Sequence, residues 1–206
     1  MKLVIATKNR GKFSEFTDLL RNTGIVLFSL KDFDDIPEIH ENGTTFMENA
    51  LIKAYAVLSF TGLASLADDS GLEVDALGGR PGVFSSRFGP TPEARNTKLL
   101  KELQDVDEKR RTARFVCALA FVCLDGFEWK TTGICEGYIT RKPVGLGGFG
   151  YDPVFYYPPL NTTFAEISQE QKNRVSHRGR ALAAFRKAVI KDGISDHIMH
   201  EKPLNQ

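Results

Sequence analysis

Asp68-Asp69-Ser70-Gly71 sets two adjacent carboxylates directly after the apolar run Leu63-Ala64-Ser65-Leu66-Ala67. Like charges fixed side by side repel, so a divalent cation, or a water in need of a base, gives the pair a use. A solvated turn, or Asp69 capping a helix, is the plainer account. Thr7-Lys8-Asn9-Arg10-Gly11-Lys12 packs two lysines and an arginine with a threonine, an asparagine and a glycine. It lies between the apolar run Leu3-Val4-Ile5-Ala6 and Phe13, Phe16, Leu19 and Leu20 at helical spacing. Open α/β sheets bind ligands at the carboxyl ends of their strands, and a helix start adds unpaired amides and a positive dipole end. An anion such as a phosphate fits this loop, although an ordinary polar strand-to-helix turn has the same composition. The G-x-x-x-x-G-K-[ST] spacing of a P-loop is absent. The two constellations support each other, because magnesium generally takes one or two carboxylates together with substrate phosphates.

Two further groups lie near the C-terminus. Gly145, Gly147 and Gly150 match G-x-G-x-x-G, but a dinucleotide fingerprint requires a helix after the glycines, and Pro153 and Pro158-Pro159 prevent a long one. Here the glycines permit close backbone approach beside Phe149 and Tyr151, and a flat ring next to Asp152 can stack on a nucleobase. A glycine-rich turn with Phe149 in the core is the simpler alternative. Lys172 is followed by Ser176-His177-Arg178, where Ser176 is a good helix cap. Cations in a helix's first turn oppose its dipole, so His177 and Arg178 break a local rule, as functional residues often do. His197 and His200 have H-x-x-H spacing but no cysteine nearby in the sequence, so a flexible end is expected rather than a metal site. Glu48 reads as the capping-box partner of Thr45.

The elements that must hold these residues follow an α/β pattern. Met47, Leu51, Ala54 and Leu58 continue a helix from Thr45, and Leu63–Ala67 reads as a strand ending at Asp68. Thr91-Pro92 opens another helix through Leu99, Leu100 and Leu103. Phe115–Leu124 and Phe127–Thr140 read as two strands joined by a turn at Asp125-Gly126. A last helix near Ser176 carries Leu182, Phe185, Ala188 and Val189 on one face. Across 206 residues, 42% are hydrophobic and 26% charged, and 27 basic side chains balance 26 acidic ones. That excludes disorder and argues against a general nucleic-acid binder, which carries a basic excess. No run of 18 or more apolar residues or signal-peptide core occurs, so no membrane association is expected. Cys117, Cys123 and Cys135 lack C-x-x-C spacing and read as thiols in a reducing, cytoplasmic compartment.

Taken in order, Thr7-Lys8-Asn9-x-x-Lys12, Thr45-Phe46-x-Glu48-Asn49-Ala50, Ala67-Asp68-Asp69-Ser70-Gly71, Gly148-Phe149-Gly150-Tyr151-Asp152-Pro153 and Ser176-His177-Arg178 resemble the inosine triphosphate pyrophosphatase family, also called dITP/XTP pyrophosphatases. The resemblance implies an elongated, two-lobed α/β fold, with a long mixed central sheet flanked by helices and an active-site cleft between the lobes. It places one pyrophosphatase domain over residues 1–190 and a tail over 191–206. It implies a homodimer that hydrolyses ITP, dITP or XTP to the monophosphate and pyrophosphate with Mg²⁺. By the matched motifs, Thr7, Lys8, Asn9, Arg10, Gly11, Lys12, Ser70 and Lys172 would hold the triphosphate. Asp69 would bind magnesium and accept a proton from the attacking water. Phe149, Gly150, Tyr151 and Asp152, with His177 and Arg178, would surround the base. The family pattern has an acidic metal ligand three positions before the glycine matching Gly43; His40 stands there, with Glu41 or a water as the substitute.

Base choice follows from donors and acceptors. Hypoxanthine and xanthine carry an acceptor oxygen at position 6 where adenine carries an amine, and Arg178 with a protonated His177 offers only donors. A site built on such bonds can reject a mismatch by about 10⁴. Two other readings remain open at this level: a related pyrophosphatase for another nucleotide, such as a modified pyrimidine, and a nucleotide- or RNA-binding module without catalysis.

Overall fold

A computed structural model describes residues 2–191, together with 194 and 197. His200 and most of the expected tail lie outside the described residues. In chain order the elements are β1 (Lys2–Ile5), α1 (Arg10–Leu19), β2 (Val26–Ser29), α2 (Phe46–Thr61), β3 (Ser65–Val74), α3 (Pro92–Glu102), β4 (Thr112–Val122), β5 (Glu128–Ile139), β6 (Phe155–Tyr157), β7 (Thr162–Thr163), α4 (Gln169–Val175) and α5 (His177–Lys191). Among the described residues the strands form one mixed sheet of seven, in the order β2-β1-β3-β4-β5-β6-β7. β1 runs parallel to both β2 and β3, whereas β6 is antiparallel to β5 and β7.

The chain divides into two compact units, one holding 1–69, 117–132 and 179–206, the other 70–116 and 133–178. Each has its own apolar core. In the first, Leu3 and Ile5 of β1, Leu66 of β3, Leu119 and Phe121 of β4 pack with Phe16 of α1 and Leu182 and Phe185 of α5. In the second, Leu72, Val74, Phe115, Phe155 and Phe164 pack with Leu99 of α3. Burial of such side chains drives the collapse of each unit.

Several signals appear as the chain predicts. Thr45 accepts from the Glu48 amide while Glu48 Oε2 accepts from the Thr45 amide, so α2 starts with a capping box. Thr91 caps α3 with Pro92 in its first turn. Phe13, Phe16 and Leu19 lie on α1, and no α-helix follows Gly145–Gly150 before β6. Two elements differ from expectation. α4, a seven-residue helix capped by Ser168, carries Lys172. β3 does not stop at Asp68 but runs on to Val74. Adjacent strand residues point to opposite faces, so the two carboxylates diverge, and Leu72 and Val74 resume the buried alternation beyond them.

Candidate active site

The parallel register aligns Ile5 with Leu66, so the loop that leaves β1 and the Asp68-Asp69 pair both follow the last paired residues of the two strands. Asp68 is 2% exposed and pairs with Lys12, whose Nζ lies 2.8 Å from Oδ2. Asp69, at 8% exposure, faces α2. There Asn49 Nδ2 donates to Asp69 Oδ2 at 3.2 Å, and Lys53 Nζ lies 3.3 Å from Asp69 Oδ1. Lys53 Nζ also lies 3.0 Å from Glu41 Oε2. The Asn49 amide is oriented by the Gly43 N–H, which donates to Oδ1 at 2.8 Å. A Cβ at Gly43 would stand 2.7 Å from the Glu48 Cβ, so only glycine allows this approach.

Burial pushes the Asp69 carboxyl above its usual range; Lys53 and Lys12 pull it back, and Glu41 pushes it up again. For Lys53, burial works against the charge, but Asp69, Asp68 and Glu41 outweigh it and hold the ammonium above its ordinary value. A cluster with a proton-hungry carboxylate beside a fixed cation suits general-base chemistry. Its donor set is hard: the Asp69 and Glu41 carboxylates offer the oxygen ligands that Mg²⁺ prefers. Glu41 is half-buried in the cluster, whereas His40 is exposed.

The loop after β1 is held by its own hydrogen bonds. Asn9 caps α1 by accepting from the Lys12 amide at 3.1 Å, and Thr7 Oγ1 accepts from the Asn9 amide at 3.2 Å. Lys8, Arg10 and Gly11 are exposed. A pocket of about 420 Å³ is lined by Thr7, Lys8, Asn9, Arg10, Phe13 and Lys31, among others. Lys12 and Asp69 do not line it.

In the second unit, Arg178 is 2% exposed; its Nη2 donates to Ser70 Oγ at 2.9 Å, and its guanidinium carbon lies 5.9 Å from the Phe149 ring centre. Lys172, also 2% exposed, has its ammonium on Asp152 Oδ2 and 4.1 Å from the same ring centre. Asp152 Oδ2 accepts from the Phe149 amide at 2.7 Å as well. Gly148 has φ +72, and a Cβ there would stand 2.2 Å from Asp152 Oδ2, which explains the glycine. Phe149 keeps 38% of its surface exposed. The Gly150 carbonyl accepts from Asn96 at 3.0 Å.

The expected residues therefore fall into two sets. Lys12 and Asp69 belong to the first unit; Ser70, Phe149, Asp152, Lys172 and Arg178 meet in the second. Asp69 and Ser70 are consecutive along β3. Tyr151 and His177 turn inward: Tyr151 is buried with its hydroxyl donating to the Ser85 carbonyl at 2.8 Å, and His177 stacks on Phe115 at 4.7 Å between ring centres. Burial raises the Tyr151 hydroxyl well above its ordinary range. Asn49 belongs to the motif Thr45-Phe46-x-Glu48-Asn49-Ala50, which assigns it no role at the site, and Lys53 lies outside every motif. Both lie on the buried side of α2 with Phe46, Ala50, Ala54 and Val57, and a lysine at i+4 from an asparagine within an apolar stripe is the signal that marks them.

The model of the Ham1 family matches residues 3–188. A protein of Desulforamulus reducens called dITP/XTP pyrophosphatase is 50% identical over 185 residues, 88% of this chain and 92% of that protein. One of Geobacter sulfurreducens with the same name is 47% identical over 196 residues, 94% of this chain and 98% of that one. A solved HAM1 protein structure from Coxiella burnetii superposes with a TM-score of 0.85 at 40% identity, covering 93% of this chain and 99% of that one.

Proposed function

The chain belongs to the Ham1 family, and on that premise we propose that it is a pyrophosphohydrolase converting deaminated purine nucleoside triphosphates (ITP, dITP and XTP) to the monophosphate and pyrophosphate. The observation that carries the reading is the buried Asp69, held by Lys53 and Asn49 and raised in proton affinity. Water attacks the α-phosphorus, its proton passes to the Asp69 carboxylate, and the bond to the bridging oxygen breaks to release pyrophosphate. The expected cofactor is Mg²⁺, held by Asp69 and by Glu41 in place of His40; when bound it neutralises phosphate charge and polarises the phosphoryl oxygen. Lys53 keeps both carboxylates in place.

Thr7, Lys8, Asn9, Arg10, Gly11 and Lys12 hold the triphosphate at the start of α1, with Ser70 and Lys172 as further contacts. Phe149, Gly150, Tyr151 and Asp152 form the base-binding segment, where the exposed face of Phe149 stacks on the purine. Arg178 supplies the donor for the 6-oxygen. The inward turn of His177 leaves it to support Arg178 through their shared helical turn. The same reading takes the enzyme as a cytoplasmic homodimer without a nucleic-acid partner. Its three cysteines are buried thiols, and Ile134 and Tyr138 of β5 offer exposed apolar surface for self-association. Among the described residues no helix is long and apolar enough to cross a membrane.

The decisive assay is pyrophosphate release from ITP, XTP, GTP, ATP and a modified pyrimidine triphosphate, with and without Mg²⁺. ITP and XTP should be preferred by at least about 10²-fold, and Asp69→Asn should reduce turnover by about 10²–10⁴. Equal turnover of ATP and ITP, preference for the pyrimidine, or binding without release, would each replace this reading.

A further inference from the structure

The turn between β4 and β5 does more than reverse the chain. Cys123 Sγ donates to Asp125 Oδ1 at 3.0 Å, and Asp125 Oδ1 also accepts from the Phe127 amide at 2.8 Å. The other carboxylate oxygen, Oδ2, lies 2.6 Å from Nδ1 of His197. The His197 ring stacks on Phe127 with centres 3.9 Å apart and planes 8° from parallel. Ile194, three residues earlier, is buried in the same core as Cys123. The imidazole is thus held against the turn by a ring, a carboxylate and a nearby core residue. The fold supplies a thiol, which His197 lacks nearby in the sequence, at Cys123 and a carboxylate at Asp125.

We propose that Cys123, Asp125 and His197 form a second metal site, for a borderline transition ion of the Zn²⁺ class, that fastens His197 to the β4–β5 turn. One sulfur, one carboxylate oxygen and one imidazole nitrogen lie within 4.8 Å of one another. Zinc bonds of about 2.0–2.3 Å put the ligand atoms of one tetrahedral ion about 3.3–3.8 Å apart, so opening the present hydrogen bonds by under about 1 Å makes room for it. A sulfur–nitrogen–carboxylate set selects zinc or cobalt over magnesium, which takes oxygen ligands alone. Cys123 is buried, but Asp125 is exposed and His197 partly so, which leaves an entry path and a fourth position for water. On loading, the Cys123 thiol gives its proton to solvent, sulfur bonds the ion, and His197 donates a neutral ring nitrogen. None of the three residues takes part in the proposed hydrolysis, so this site stands or falls independently of it.

The test is titration of the full-length, untagged, metal-free protein with Co²⁺ alone, without nucleotide. One equivalent should bind with a sulfur-to-cobalt charge-transfer band and the visible bands of a tetrahedral ion. The oxygen ligands of the Asp69 cluster cannot give that band, and Cys117 and Cys135 are fully buried. Cys123→Ser should abolish the band, and His197→Ala, at a partly exposed position, should weaken binding by more than about tenfold. Zn²⁺ should compete for the same equivalent and raise the thermal midpoint of the unaltered protein but of neither variant. No charge-transfer band, or a band that survives Cys123→Ser or is bound equally well by His197→Ala, overturns the proposal and leaves the three side chains as a hydrogen-bonded clasp.

Discussion

Glu41 and Asp69 share one ammonium: Lys53 Nζ lies 3.0 Å from Glu41 Oε2 and 3.3 Å from Asp69 Oδ1. The loop residue is thereby drawn toward the strand residue although 28 positions separate them in the chain (69 less 41). His40, next to Glu41, stays exposed. On the proposed reading, the carboxylate at position 41, not the imidazole at position 40, would be the second ligand of a hard cation.

Glu41→Gln is therefore expected to raise the Mg²⁺ concentration needed for half-maximal ITP hydrolysis by about tenfold or more. His40→Ala should change it less than about twofold. Magnesium titrations of both variants at saturating ITP check this, and a larger effect at position 40 contradicts the assignment of Glu41.

Arg178→Ala separates base recognition from phosphate chemistry. Losing a buried, charge-assisted donor is worth about 1.5–3 kcal/mol, so kcat/KM for ITP should fall by about 10–150-fold. Hydrolysis of inorganic triphosphate, which has no base, should change less than about threefold. Arg178→Lys should not restore ITP activity, because an ammonium lacks the planar fork that reaches Ser70 Oγ. Equal losses on both substrates would remove Arg178 from base recognition.

The α2 cap carries a pH signature. The Thr44 amide donates to Glu48 Oε2 at 2.7 Å, the Thr44 hydroxyl also bonds it, and together with the Thr45 amide they hold the carboxyl below its ordinary value of 4.5. A depressed folded-state value means that the stabilisation is present above the unfolded value and disappears as pH falls through the folded one. Glu48→Gln should lower the thermal midpoint at pH 7, and the difference from the unaltered protein should shrink towards zero in strong acid. Calorimetry at pH 7, 5 and 3 reads this directly. A gap that widens on acidification contradicts the sign.

Local signals were legible wherever a residue acts on its neighbours. Thr45 with Glu48 and Thr91 with Pro92 specify helix starts through bonds that close within one turn, and the apolar spacing of α1 follows from burial of one face. Asp68 and Asp69 were legible as a pair with a purpose. Their separate tasks were not, because these depend on Lys12 and Lys53, which reach β3 from two different helices. The extension of β3 to Val74 was hidden for the same reason: carboxylates in a strand interior look unfavourable until their counter-cations are in place. The inward turn of Tyr151 and His177 was equally invisible, since Ser85 lies 66 positions and Phe115 62 positions away along the chain (151 less 85, and 177 less 115). His197 lacked a cysteine partner only in the one-dimensional string.

The alternation of β3 gives its length a meaning that loop lengths elsewhere lack. Deleting or inserting a single residue between Leu66 and Asp68 would hand each aspartate to the opposite side, presenting the Lys12 partner to α2 and the Lys53 partner to α1. Composition and hydrophobicity would be almost unaltered, yet hydrolysis should cease. The spacing from the register pair Ile5–Leu66 to the aspartates is therefore the ruler by which each carboxylate finds its lysine.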